Sequence, residues 1–272
     1  MASTWDEHFP SRMEWSADDV PDQSGKVFLI TGGTSGLGFA TAKVLLSRNA
    51  RVYITSRGHE KGRQAAEELR RISEAFHVLQ MDLSDLQSVQ KAAYEFMSKE
   101  QNLHCLINNG GVMAPPIALP TRQQYDLQFG VNVIGHFYLT QLLLPVLLGT
   151  AKFTARKVHV LNYSSSAPPA PRIDYTTLMD GPVRRRCTPA QLYKQSKLGC
   201  LLLALELAEQ YGEQGIVSIA INPGNVQTNL TRYSRGVMGS IWDMFSCRVS
   251  KGVLTLATRA PFATVHLDRR DP

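Results

Sequence analysis

The sequence predicts an α/β fold: a single doubly wound parallel sheet with helices on both faces. Three observations carry this. Six short aliphatic and β-branched runs alternate with helix-like segments between residues 26 and 224. The runs are apolar along their whole length, as strands buried on both faces must be, and such strands form parallel sheets. A glycine-rich turn directly follows the first run. Strands joined through helices in this way wind right-handed and cover both faces of the sheet.

In chain order, residues 1–24 form a polar lead and 24–272 read as one domain. KVFLIT (26–31) is the first strand and 36–48 the first helix. RVYITS (51–56) is the second strand, followed by a charged amphipathic helix over 59–73. FHVLQMD (76–82) precedes a helix at 84–100, and HCLINN (104–109) precedes a long helical stretch at about 121–148. KVHVLNYSS (157–165) is the fifth strand, 189–212 the next helix and IVSIAINPG (216–224) the sixth strand. Residues 166–188, rich in proline and polar side chains, predict a long loop. Loops of that length inside compact domains are usually functional or disordered. Beyond Thr228 the periodicity weakens and no final strand is legible.

The 272 residues are 43% hydrophobic and 19% charged, ordinary for a globular chain with a full core. A net charge of +6 raises the question of nucleic acid. The basic residues are scattered, however, and the one tight run, Arg184-Arg185-Arg186, reads as a solvated loop. The expectation is no nucleic-acid partner. Cys105, Cys187, Cys200 and Cys247 show neither CxxC pairing nor histidines at ligand spacing, so neither a disulfide frame nor a metal site is expected. The lead lacks an apolar signal core. The run LGCLLLALELA (198–208), the richest apolar stretch on this reading, is interrupted by Glu206 and too short to span a bilayer. These features predict a soluble cytoplasmic protein without a transmembrane segment.

TGGTSGLG (31–38) sits where the first strand meets the first helix. Its glycines, Gly32, Gly33, Gly36 and Gly38, allow close backbone approach, and the helix N-terminus beyond them attracts phosphate. That edge of a parallel sheet is where nucleotides bind. The candidate cradle is Gly32, Thr34, Ser35, Gly36, Leu37 and Gly38. An acid ending the second strand would hold a ribose 2′-hydroxyl. The sequence has Thr55-Ser56-Arg57 instead, so Ser56 and Arg57 fit a 2′-phosphate and predict NADP(H). Asp82 ends the third strand, as a candidate acceptor for an adenine amino group, and Asn109 lies in the turn after the fourth.

On helix 189–212, Tyr193 and Lys197 are one turn apart on one face. Thr188, Pro189 and Gln191 supply a capping box with proline in the first turn. A free phenol is too weak an acid for proton exchange at neutral pH, and a neighbouring ammonium stabilises its phenolate.

TGxxxGxG at Thr31–Gly38, the Asn108-Asn109-Gly110 turn, Asn132 in FGVNVIGHF, the serines of NYSSS, Tyr193-x-x-x-Lys197 and PGNVQT at 223–228 resemble, in order and spacing, the short-chain dehydrogenase/reductase family. The resemblance covers roughly 24–230. More narrowly, VNVIGHF and the long loop resemble the branch that holds retinol dehydrogenases and the WW-domain oxidoreductase, without a WW domain. It implies a Rossmann-type dinucleotide-binding catalytic domain. It also implies that Tyr193 is the general acid or base, that Lys197 additionally holds the nicotinamide ribose, and that Asn132 positions a water for proton relay. The serine that hydrogen-bonds the reacting oxygen aligns with Ser165, with Ser164 and Ser166 as alternatives. Pro223, Gly224, Val226 and Thr228 match the segment beside the nicotinamide. One departure stands out: SKGVLTLAT (250–258) resembles part of the family's last helix, but the residues after about 258 read as atypical or truncated.

The expected function is NADPH-dependent hydride transfer between nicotinamide and a carbonyl or alcohol of a lipophilic small molecule. Met113, Ile117 and Leu119 are candidate apolar wall residues. An NAD-linked secondary-alcohol dehydrogenase, or a cofactor-binding sensor without turnover, are the alternatives. A homo-oligomer is left open.

Overall fold

The computed structural model describes residues 17–165 and 170–223. Six parallel strands form one sheet in the order β3-β2-β1-β4-β5-β6. They are β1 (Val27–Ile30), β2 (Arg51–Ser56), β3 (Phe76–Gln80), β4 (Cys105–Asn108), β5 (Val158–Tyr163) and β6 (Ile216–Ile221). The helices are α1 (Gly36–Ser47), α2 (His59–Leu69), α3 (Leu86–Lys99), α4 (Leu127–Thr154), α5 (Pro182–Arg185) and α6 (Pro189–Tyr211). Strand order reverses between β1 and β4, so the glycine turn after β1 and the Asn108–Gly110 turn after β4 flank the crevice at the switch point.

The central strands β1 and β4 are buried along their whole length because both faces are covered, whereas the edge strand β3 exposes His77 and Gln80. Val27 and Leu29 of β1 pack toward Phe96 of α3, Leu139, Leu143 and Leu147 of α4 and Leu203 and Leu207 of α6. Phe28 and Ile30, alternating with them, pack toward Leu45 and Leu46 of α1 and Leu69 of α2. Side chains of one strand alternate between the two layers.

Four expectations need correction. The helix expected at about 121–148 runs instead over Leu127–Thr154. Residues 121–126 make a tight turn, with Gln124 at φ 67° and Thr121 N–H donating to the Tyr125 carbonyl at 2.9 Å; Asp126 then caps the helix by accepting from Phe129 N–H at 2.8 Å. The loop expected over 166–188 contains a turn of 3-10 helix at Tyr175–Thr177 and the short α5. The arginine triplet is not wholly solvated. Arg184 is 1% exposed, its Nε 3.0 Å from Asp126 and its guanidinium also 2.8 Å from Asp180, while a further N–H reaches the Leu119 carbonyl at 3.3 Å. Sequence reading sees charge, but not the two carboxylates brought from elsewhere to bury it.

α4 also outranks 198–208 as an apolar stretch. It is long and apolar enough to cross a membrane, with mean hydropathy 1.6, and 56% of that window is buried inside the protein. It serves here as a core helix packed on the sheet.

Candidate active site

The glycine turn is braced from the β4 side. Asn109 Nδ2 donates to the Thr31 carbonyl at 2.7 Å and the Gly32 carbonyl at 3.3 Å. Gly38 has to be glycine here, since a Cβ would lie 2.5 Å from Asn109 Nδ2. The Asn109 Nδ2 is therefore committed to the turn. Ser35 stands at the N-cap of α1 in an extended conformation and makes no side-chain cap hydrogen bond. The first N–H groups of that helix are left to face the crevice beside Thr34, Gly36 and Leu37, which is the arrangement an anion uses.

At the end of β2, Ser56 is buried and its hydroxyl donates to the Gly58 carbonyl at 2.8 Å. Arg57 beside it is exposed. The Ser56 hydrogen is thus already spent, which leaves Arg57 as the exposed donor at this edge. Asp82 Oδ1 accepts from Ser84 N–H at 2.9 Å and from the Ser84 hydroxyl at 2.7 Å.

α6 starts as the sequence predicts. Thr188 Oγ1 accepts from Gln191 N–H at 3.2 Å, Gln191 Oε1 accepts from Thr188 N–H at 2.8 Å, and Pro189 occupies the first turn. Tyr193 is half-buried and Lys197 is 8% exposed. Lys197 Nζ donates to the Tyr163 carbonyl at the end of β5, at 2.8 Å, and lies 5.7 Å from the Tyr193 ring centroid. An ammonium carries three donors. Among the described residues that carbonyl is the one hydrogen-bond acceptor it meets, and no carboxylate pairs with it. Two of its donors meet no acceptor among the described residues.

Of the three serines, Ser164 donates to the Lys197 carbonyl at 3.1 Å, which commits its hydroxyl to α6. Ser165 follows it, half-buried, at the mouth of the same strand end. Ser166, Gly224, Val226 and Thr228 lie outside the described residues, as does the atypical C-terminal segment; Pro223, half-buried, is the last described residue after β6.

Asn132 sits inside a π-turn of α4, where Gly135 N–H reaches back to the Gly130 carbonyl. Such turns are frequent at functional sites. Asn132 is 2% exposed; its Oδ1 accepts from Val112 N–H at 2.9 Å, and its Nδ2 donates to the Val112 carbonyl at 3.1 Å and Ser196 Oγ at 2.9 Å. Ser196 Oγ in turn donates to the Tyr193 carbonyl at 2.8 Å. α4 and α6 come this close because Gly199 faces Val133; a Cβ there would lie 2.8 Å from Val133 Cγ2. The structure therefore brings Asn132, Ser164, Ser165, Tyr193 and Lys197 to one end of the sheet. Sequence reasoning missed His136 and Ser196. Both sit three or four residues from a named candidate, and that helical spacing was the available signal.

The segment between β5 and α6 is fastened over this end. Gln195 Oε1 accepts from Asp174 N–H at 2.7 Å and its Nε2 donates to Thr177 Oγ1 at 2.9 Å, while Gln128 Nε2 donates to the Pro189 carbonyl at 2.8 Å.

Comparison with known proteins agrees with the geometry. Residues 26–177 match the family described as short chain dehydrogenase. A short-chain dehydrogenase/reductase of Armillaria gallica is 44% identical over 259 residues, spanning 94% of this chain and 84% of that protein. Retinol dehydrogenase 12 of Mus musculus is 39% identical over 224 residues, spanning 82% of this chain and 68% of that protein. The crystal structure of an uncharacterized protein from Mycobacterium paratuberculosis superposes with a TM-score of 0.72 at 32% identity, over 92% of this chain and 81% of that one. Two more distant structures share the fold. One is a Brucella melitensis 3-ketoacyl-(acyl-carrier-protein) reductase complexed with NADH (TM-score 0.67, 23% identity, covering 87% and 91%). The other is Pseudomonas aeruginosa RhlG with NADP (TM-score 0.70, 23% identity, covering 89% and 93%). A matched profile over more than half the chain and a relative at 44% identity over almost all of it fix the assignment: the chain belongs to the short-chain dehydrogenase/reductase family, oxidoreductases that use a nicotinamide cofactor on alcohol and carbonyl groups.

Proposed function

We propose that this chain is an NADP(H)-dependent oxidoreductase that interconverts a carbonyl and an alcohol on a lipophilic small molecule. The observation that carries the reading is the Lys197 ammonium, buried beside the Tyr193 ring with a single carbonyl acceptor among the described residues. Burying a charge with so little compensation is costly unless a ligand completes its shell. Ribose hydroxyls and a phenolic oxygen are the acceptors that fit its two remaining donors.

The bound nicotinamide supplies or accepts the hydride. The residues that would hold the cofactor are Thr34–Gly38 at the α1 N-terminus for its pyrophosphate, Arg57 for a 2′-phosphate, Asp82 for the adenine and Lys197 for the ribose. In carbonyl reduction Tyr193 gives the phenolic proton to the substrate oxygen, and in alcohol oxidation it takes that proton back. Lys197 stabilises the phenolate left behind, and Ser165 hydrogen-bonds the same oxygen. Asn132 fixes α4 against α6 and with it the height of Tyr193.

Two features support NADP(H) and a lipophilic substrate. No carboxylate stands at the end of β2, where Arg57 is exposed. Leu119, Met179 and Val183 are exposed on the two segments that Arg184 ties together. The similarity to a retinol dehydrogenase, named for a lipophilic alcohol, points the same way. The test is turnover of the full-length protein on ketones and aldehydes of increasing chain length, each with NADPH and with NADH. NADPH-dependent turnover that improves with apolar size is expected. A preference for NADH would assign the NAD-linked alternative, and cofactor binding without turnover of any carbonyl would assign the sensor.

A further inference from the structure

We propose that His136 is a positioning residue of this site, bonded at once to the glycine turn and to Asn132, so that it sets the spacing between the cofactor turn and the Tyr193 helix. The inference rests on the functional reading above.

His136 is 3% exposed on α4, one turn beyond Asn132. Its Nδ1 lies 3.0 Å from the Asn132 carbonyl oxygen and its Nε2 2.8 Å from Thr31 Oγ1. A carbonyl only accepts, so Nδ1 carries the hydrogen. In the neutral ring Nε2 is then an acceptor, and the Thr31 hydroxyl donates to it. Thr31 Oγ1 accepts in turn from Gly110 N–H at 2.8 Å; its other acceptor, the Ile107 carbonyl, is farther away at 3.5 Å.

On the far side, Asn132 Nδ2 donates to Ser196 Oγ, and Ser196 Oγ to the Tyr193 carbonyl. The result is one chain of hydrogen bonds running Gly110, Thr31, His136, Asn132, Ser196, Tyr193, with the donor fixed at every step. Desolvation by burial, with a further push from the Lys197 charge, holds His136 down to about 4, which agrees with a neutral ring.

A histidine kept only to fill the core would not need both nitrogens aimed at two different elements of the site, since phenylalanine fills a similar volume. The two ring nitrogens of His136 bond Thr31 and Asn132, so its effect passes through those two residues. Misplacing reacting groups by an ångström is enough to lower a rate by about a hundredfold.

Three substitutions in the full-length protein separate the two bonds. His136→Asn keeps a donor near the Nδ1 position, His136→Gln keeps a group near the Nε2 position, and His136→Phe keeps neither. Thermal unfolding, NADPH affinity by fluorescence, and kcat and KM for a carbonyl that the wild type reduces are measured for each. His136→Phe is expected to lower kcat by about 10- to 100-fold with KM and NADPH affinity little changed, and each amide variant is expected to recover only part of the loss. Undiminished kcat in His136→Phe overturns the proposal, and so does full recovery by His136→Asn alone, because anchoring Asn132 would then suffice. Should the variants not fold, long-range proton–nitrogen spectra of wild-type protein labelled at histidine nitrogens decide it. A neutral Nδ1–H ring at His136 is expected, and a neutral Nε2–H ring overturns the chain. Absence of any wild-type turnover would instead fault the functional reading, while the ring assignment still tests the chain.

Discussion

Lys197 holds its ammonium 5.7 Å from the centre of the Tyr193 ring while donating to the Tyr163 carbonyl at 2.8 Å. Among the described residues the strand end, not a carboxylate, fixes the lysine. A carboxylate partner would neutralise the field that Tyr193 experiences, whereas a carbonyl orients the ammonium and leaves its charge. Replacing a buried, weakly compensated charge by an apolar side chain of similar length is often neutral or stabilising. Lys197→Met should therefore leave the melting temperature equal or higher while NADPH affinity falls on the order of 10- to 100-fold, the scale of hydrogen bonds to a charged group. A lower melting temperature with unchanged affinity would make the lysine structural.

Arg57 should govern cofactor choice. Arg57→Ala is expected to weaken NADPH by roughly tenfold to a hundredfold and to leave NADH nearly unchanged, because NADH lacks the phosphate proposed as the partner of the guanidinium. Direct titration of both cofactors checks this. Equal losses would place Arg57 outside the phosphate site.

The buried Arg184–Asp126 pair should be a stability determinant of the loop before α6. Asp126 both caps α4 and sits 3.0 Å from Arg184. Asp126→Ala leaves a guanidinium that is 1% exposed without one of its two carboxylates, at a cost of about 3–5 kcal/mol. Because the two act together, adding Arg184→Met should cost much less than its own single effect. Denaturant unfolding of both single variants and the double variant measures the coupling, and simple additivity would count against it.

His136 also predicts a pH dependence of stability. Its folded value, about 4, lies below the ordinary 6.5 because burial disfavours the charged ring. Between those values the unfolded chain binds more protons, so stability is fully present above about 6.5 and is lost as pH falls toward 4. His104 and His159, lowered mainly by burial, act in the same direction. Unfolding midpoints across that window should drop with pH, and less steeply in His136→Gln. An equal slope in both proteins would place the titration elsewhere.

Much of the fold was legible because its signals are local. Apolar runs, the glycine turn and the Thr188–Gln191 capping box each depend on residues a few positions apart, and each appears where it was read. Tyr193 and Lys197 share a helix, so spacing alone placed them on one face. The misses came from contacts between distant segments. Arg184 looked solvated because nothing nearby in sequence shows that Asp126, 58 residues away, receives it. The start of α4 was misplaced because the turn at 121–126 is closed partly by Met179 pairing with Tyr125. His136 lay inside a quoted motif, yet its two bonds reach 105 residues in one direction and one helical turn in the other. Only the second was readable.

Proton transfer by Tyr193 in a nicotinamide-linked reaction is isolated by Tyr193→Phe, because only a hydroxyl is removed. NADPH affinity and the pre-steady-state rate of NADPH oxidation are measured together, with a carbonyl that the wild type reduces. Near-normal affinity is expected, with a rate lower by about 10²–10⁴-fold, the contribution of general acid catalysis. A Tyr193→Phe protein that binds NADPH and oxidises it at close to the wild-type rate would contradict it.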